Sequence, residues 1–119
     1  MKRTLIIGAS NNPERYAYKA AERLLKYGHE IELLGIRADV VFGKTIDIEK
    51  KDYKNIDTVT MYVGPQRQEE YYDYILSLHP KRVIFNPGTE NIAFEQLLSK
   101  NNIDVEEACT LVMLGTGQY

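Results

Sequence analysis

The sequence predicts an α/β fold, a mostly parallel sheet with helices on both faces, and three observations carry that expectation. Strand-like apolar runs alternate with helix-patterned stretches, which implies right-handed crossovers between parallel strands. The first run, Leu5-Ile6-Ile7, leads straight into the small-residue turn Gly8-Ala9-Ser10-Asn11-Asn12-Pro13 and then a helical pattern. That run is short and continuously apolar, as expected when both faces of a sheet are covered.

Taken in order, Thr4–Ile7 reads as the first strand. From Pro13 the positions Ala17, Ala20, Ala21, Leu24 and Leu25 follow helical spacing. Pro13 suits a first helical turn, where its missing N–H costs nothing, and Gly28 suits a left-handed cap at the other end. Residues 30–34 form the second strand. Residues 40–48 are β-rich around Gly43 and have room for a short strand before the charged turn Glu49-Lys50-Lys51-Asp52. Residues 58–63 are the next strand. Pro65 then starts a helix with Tyr71, Tyr72, Ile75 and Leu76 on its inner face. Residues 82–85 form a strand that ends in the turn Asn86-Pro87-Gly88-Thr89. A helix from about Asn91 carries Phe94, Leu97 and Leu98 inward, with Thr89 as a candidate cap. Asn101-Asn102 closes it, and residues 103–105 are the last strand. No repeat, linker or low-complexity segment interrupts the chain, so residues 1–119 read as one domain.

Composition narrows the function classes. Apolar residues make up 44% and charged residues 27%, ordinary for a globular protein, and a net charge of −2 gives no electrostatic case for nucleic acid. No apolar run reaches membrane-spanning length, and no signal-peptide core stands at the N-terminus. The lone cysteine, Cys109, excludes an internal disulfide and fits a reducing compartment, so the expected location is cytoplasmic. Two acidic residues precede Cys109 and no base is set beside it, which favours a buried structural thiol. His29 and His79 show no metal-ligand spacing with it.

Ligands in such sheets bind beyond the strand C-termini, where strand order reverses. That gathers residues 8–13, 35–37, 62–65 and 86–91 around one crevice. A strand, tight turn and helix aim backbone N–H groups and a positive helix end at one point, where a phosphate can sit. A dinucleotide fingerprint has glycine at its first, third and sixth positions; here they are Gly8, Ser10 and Pro13. Ser10 restricts close approach but adds a hydroxyl donor. Arg15, one turn into the helix, opposes the dipole unless an anion binds there. An NAD site calls for an acid at the end of the second strand, yet Glu32 comes too early and Arg37 is the first charge past Leu34-Gly35-Ile36. A guanidinium there matches a ribose phosphate, which favours CoA or NADP over NAD. The plain alternatives are a solvated Arg37 near Asp39, an Arg15 paired with Glu14, and an ordinary strand-to-helix turn. Asn86, Glu90 and Asn91 add polarity beyond what a turn requires.

Gly8-Ala9-Ser10-Asn11-Asn12-Pro13-Glu14-Arg15, Leu24-Leu25-Lys26-Tyr27-Gly28-His29-Glu30 and Glu107-Ala108-Cys109 together resemble the stand-alone CoA-binding domain proteins. These small bacterial proteins are similar to the N-terminal domain of the succinyl-CoA synthetase alpha subunit, and the resemblance covers nearly the whole chain. It implies a Rossmann-like fold holding CoA in the crevice with no established catalysis. It also implies phosphate contacts from Gly8 to Arg15 and adenosine contacts after the second strand. The family's usual Val-Asn-Pro-Lys-like stretch reads Leu34-Gly35-Ile36-Arg37 here, and its Phe-Arg after a later strand reads Tyr62-Val63. The resulting expectation is a protein that binds CoA or an acyl-CoA through Gly8, Ala9, Ser10, Asn12, Arg15, Gly35, Arg37, Tyr62, Asn86, Gly88 and Thr89. In it, Asn86 to Asn91 meets the pantetheine arm. An NADP-dependent oxidoreductase, with Tyr62 as its proton donor, and an interaction domain without nucleotide are the rivals.

Overall fold

The computed structural model describes residues 1–119. Its strands are β1 (Thr4–Ile7), β2 (Ile31–Leu34), β3 (Asp39–Val41), β4 (Lys44–Asp47), β5 (Thr58–Met61), β6 (Arg82–Phe85) and β7 (Asp104–Glu107). The helices are α1 (Tyr16–Lys26), α2 (Tyr72–Leu78), α3 (Ile92–Lys100) and α4 (Thr110–Gly115). All seven strands join one sheet in the order β3-β4-β2-β1-β5-β6-β7, and only β3 runs antiparallel to its neighbour. This is an α/β Rossmann-like fold. Chain order moves outward from β1 through β2, then returns to β5 on its other side. The reversal therefore falls at β1, where such folds open a crevice.

Alternation along each strand divides the core in two. Leu5, Ile7, Val59, Met61, Val83 and Phe85 pack with Ile75, Phe94 and Leu98 from α2 and α3. Ile6, Ile31, Leu33 and Ile46 pack with Ala17, Ala21, Leu24 and Leu114 from α1 and α4. Each fully buried aliphatic side chain contributes about 1.5–3 kcal/mol. Both faces of β1 are covered, which is why its four residues are all buried. No helix is long and apolar enough to cross a membrane.

Several boundaries differ from the sequence-based expectation. Helix α1 begins at Tyr16 rather than Pro13, because Arg15 N–H donates to the Asn12 carbonyl at 3.0 Å and Glu14 N–H to Asn12 Oδ1 at 3.0 Å. Pro13 thus occupies the second position of a β-turn, which its fixed φ favours. Arg15 is the N-cap residue, not a residue one turn inside the helix. Gly28, at φ +85°, does close α1, with His29 N–H reaching the Leu24 carbonyl at 3.0 Å.

The region around Gly43 holds a β-hairpin of β3 and β4 rather than one short strand. Pro65 starts a 3₁₀ turn, Pro65–Arg67; a second, Glu69–Tyr71, follows before α2. Strand β7 runs on to Glu107. Helix α4, after Cys109, has no counterpart in the sequence-based reading. Its six residues are too few to display a helical period.

Candidate functional site

Beyond the strand C-termini lies a crevice of about 690 Å³ lined by 19 residues. A cavity of this size falls within the usual range for small-molecule sites. Gly8, Ala9, Ser10, Asn12, Arg15, Gly35, Arg37, Tyr62, Gly88 and Thr89 all line it. Asn86 does not.

Two glycines set the shape of the floor. Gly8 has φ +95°, and a Cβ there would meet the Tyr62 backbone carbon at 3.0 Å. A Cβ on Gly35 would stand 2.6 Å from the Ala9 carbonyl oxygen. The ends of β1, β2 and β5 can therefore draw together only because both residues lack a side chain. The N–H groups of Gly8 and Ala9 both donate to the Leu34 carbonyl, at 2.9 and 3.0 Å. They tie β1 to β2 and are not free to bind a phosphate, in contrast to the sequence-based expectation for this loop.

The donors lie one step further on. Ser10 Oγ accepts from Asn12 N–H at 3.0 Å, so the hydroxyl proton of Ser10 remains to be given. Helix α1 has no side-chain cap and no acid in its first turn, while Arg23 and Lys26 occupy its last. No protein acceptor takes the N–H groups of Tyr16 and Ala17, and both residues line the crevice. An uncapped helix N-terminus is a natural anion site.

Helix α3 also starts beside the crevice, but its N-terminus carries a side-chain cap and an acid in its first turn. Asn91, not Thr89, is its cap: Asn91 Oδ1 accepts from Phe94 N–H at 3.2 Å, and Glu95 Oε2 accepts from Asn91 N–H at 2.9 Å. Thr89 Oγ1 instead donates to the Asn86 carbonyl at 2.8 Å, and Gly88 N–H is taken by Glu90 Oε1 at 2.9 Å. Gly88 and Thr89 supply wall rather than donors.

Asn86 faces the interior, against the sequence-based expectation. It is 3% exposed, and its amide is fully engaged in the interior. Nδ2 donates to Thr60 Oγ1 at 2.7 Å and to the Met61 carbonyl at 2.9 Å, while Oδ1 accepts from Thr110 N–H at 2.9 Å. The residue joins β5, β6 and the start of α4, so its side chain serves the interior rather than a pantetheine arm.

Electrostatically the crevice is one-sided. Arg15, Arg37 and Arg67 line it, and no Asp or Glu does. None of the three guanidiniums has an ion-pair partner. Asp39, the acid nearest Arg37 in sequence, is held by Val40 N–H and the Asn11 amide, which keep its carboxyl below the usual range. Glu32 is committed to Arg3 and Lys44. Arg67, Tyr16 and Tyr71 also line the wall, outside the segments that the sequence groups there. Arg67 is brought there by the 3₁₀ turn, whose three residues are too few to show a period in the sequence. Burial pushes the Tyr62 phenol up to about 12. Cys109 is half-buried just before α4 and does not line the crevice.

These features place the protein among Rossmann-like α/β folds with a cation-lined crevice at the strand C-termini. The chain belongs to the family described as CoA binding domain, whose model matches residues 2–115. It is similar to a crystal structure of an uncharacterised protein at 54% identity and TM-score 0.99, over 100% of this chain and 98% of that one. It shares its fold with a hypothetical protein from Pyrococcus horikoshii (22% identity, TM-score 0.89, over 97% of this chain and 82% of that one). A Thermus thermophilus protein has the same fold (20% identity, TM-score 0.87, over 99% and 90%). No curated protein matches the sequence. The family match supports a CoA-related binding role.

Proposed function

We propose that the protein binds CoA or an acyl-CoA in the crevice at the strand C-termini and performs no catalysis of its own. The observation that carries this reading is that three unpaired guanidiniums line one crevice together with the open N-terminus of α1, in a chain of the CoA binding domain family. CoA carries a diphosphate and a ribose phosphate, and arginine matches phosphate oxygens with two parallel hydrogen bonds. The diphosphate lies against Ser10, Arg15 and the first turn of α1, and Arg37 takes the ribose phosphate. The lone cysteine supports a cytoplasmic setting.

An NADP-dependent oxidoreductase is supported less well. Such chemistry calls for a proton donor poised near neutral pH. Tyr62, with its phenol at about 12, keeps its proton, and no lysine lines the crevice to lower it. Titration calorimetry with CoA, NADP and NAD separates the readings. Saturable heat with CoA and weak heat with both dinucleotides is expected. Tighter binding of NADP than of CoA would sink the proposal, and silence with all three would leave a nucleotide-free interaction domain.

A further inference from the structure

Arg67 stands on the wall of the crevice that follows β5. In the sheet, β1 lies between β2 and β5. Arg37 follows β2 and Arg67 follows β5, so the two guanidiniums face the crevice from opposite sides of the Gly8 loop and the start of α1. Arg67 has no acid partner, although Glu69 and Glu70 are close in sequence.

The turn that bears Arg67 is unusually well anchored. The next residue, Gln68, is completely buried. Its Nε2 donates to the Val63 carbonyl at 2.8 Å and the Thr89 carbonyl at 2.7 Å, and its Oε1 accepts from Asn91 Nδ2 at 3.0 Å. One amide therefore ties the turn to both loops of that wall. Arg67 N–H adds a bond to the Gly64 carbonyl at 3.0 Å. A buried glutamine with all of these bonds made fixes the backbone from which the guanidinium projects. Less ordering is then left to be done when an anion arrives.

We propose that Arg67 contacts the diphosphate of bound CoA from the β5 wall, opposite Arg15 and the α1 N-terminus. This rests on the reading that CoA occupies the crevice.

The test is calorimetry of wild type, Arg67→Ala and Arg67→Glu with CoA and with dephospho-CoA, which keeps the diphosphate but lacks the ribose phosphate. Arg67 is exposed, so both variants are expected to keep the wild-type melting temperature. Arg67→Ala should weaken both ligands alike, by about tenfold. Arg67→Glu should weaken both further, because it sets a like charge against the phosphates. Unchanged CoA affinity in Arg67→Ala overturns the proposal. A loss confined to CoA also overturns it, by assigning Arg67 to the ribose phosphate. Wild type that binds neither ligand refutes the functional reading itself, and the assignment of Arg67 with it.

Discussion

Asn86→Ala is expected to lower folding stability by about 2–4 kcal/mol while changing the CoA affinity of the folded protein by less than about twofold. The loss is large because Asn86 serves three elements at once. Without its amide, the Thr110 N–H at the start of α4 loses its acceptor, and the Thr60 hydroxyl and Met61 carbonyl lose a donor. An orphaned buried donor costs about 1–3 kcal/mol, and the space left by the side chain adds to it. Domains of this kind are stable by only about 5–15 kcal/mol in total, so the change is readily seen in urea unfolding. Retained stability together with weakened CoA binding would return Asn86 to the ligand and contradict the interior role described here.

Arg37→Ala is expected to do the reverse: CoA affinity falls about tenfold or more, dephospho-CoA affinity stays nearly constant, and stability does not change. A hydrogen bond to a charged group contributes about 1.5–3 kcal/mol, and about 1.4 kcal/mol is tenfold. Arg37 is exposed and unpaired, so its removal disturbs no packing. Its neighbour Asp39 is already engaged by Asn11 and Val40. Calorimetry with the two ligands measures the difference directly. Equal losses for both would move Arg37 to the diphosphate. Arg37 and Arg67 are thus told apart by dephospho-CoA, which only the Arg67 substitution is expected to weaken.

The residues differ in how plainly the sequence announces what they do. The parallel sheet is legible because β1, β2, β5 and β6 are short apolar runs punctuated by Gly8, Gly35, Gly64 and Asn86, and those signals are local. The crevice follows from strand order, so the segments carrying Gly8, Gly35, Tyr62 and Gly88 could be gathered correctly. The fate of individual polar groups is a different matter. Asn86 and Ser10 both sit at strand-to-helix turns and look alike in sequence. Asn86 turns inward only because Thr60 and Thr110, 26 and 24 residues away, wait beneath it.

The N–H groups of Gly8 and Ala9 look free until the parallel pairing with β2 brings the Leu34 carbonyl to them. Capping shows the same limit. Thr89 and Asn91 are both good N-cap residues by type. Gln68 settles the choice by taking the Thr89 carbonyl and the Asn91 amide. The place of Arg67 is not legible in sequence because a proline followed by polar residues reads as a regular helix start, whereas the chain makes two 3₁₀ turns there.

CoA is expected to lie across the carboxyl ends of β1, β2 and β5. Amide chemical-shift mapping of ¹⁵N-labelled protein titrated with CoA tests it most directly. Shifts are expected to concentrate at Ser10 to Tyr18, Gly35 to Arg37, Gly64 to Arg67 and Gly88 to Thr89, with little change along α3 and β7. Shifts confined to the groove of Ile92, Gln96, Lys100 and Val105 between α3 and β7, or no shifts at saturating CoA, would contradict it.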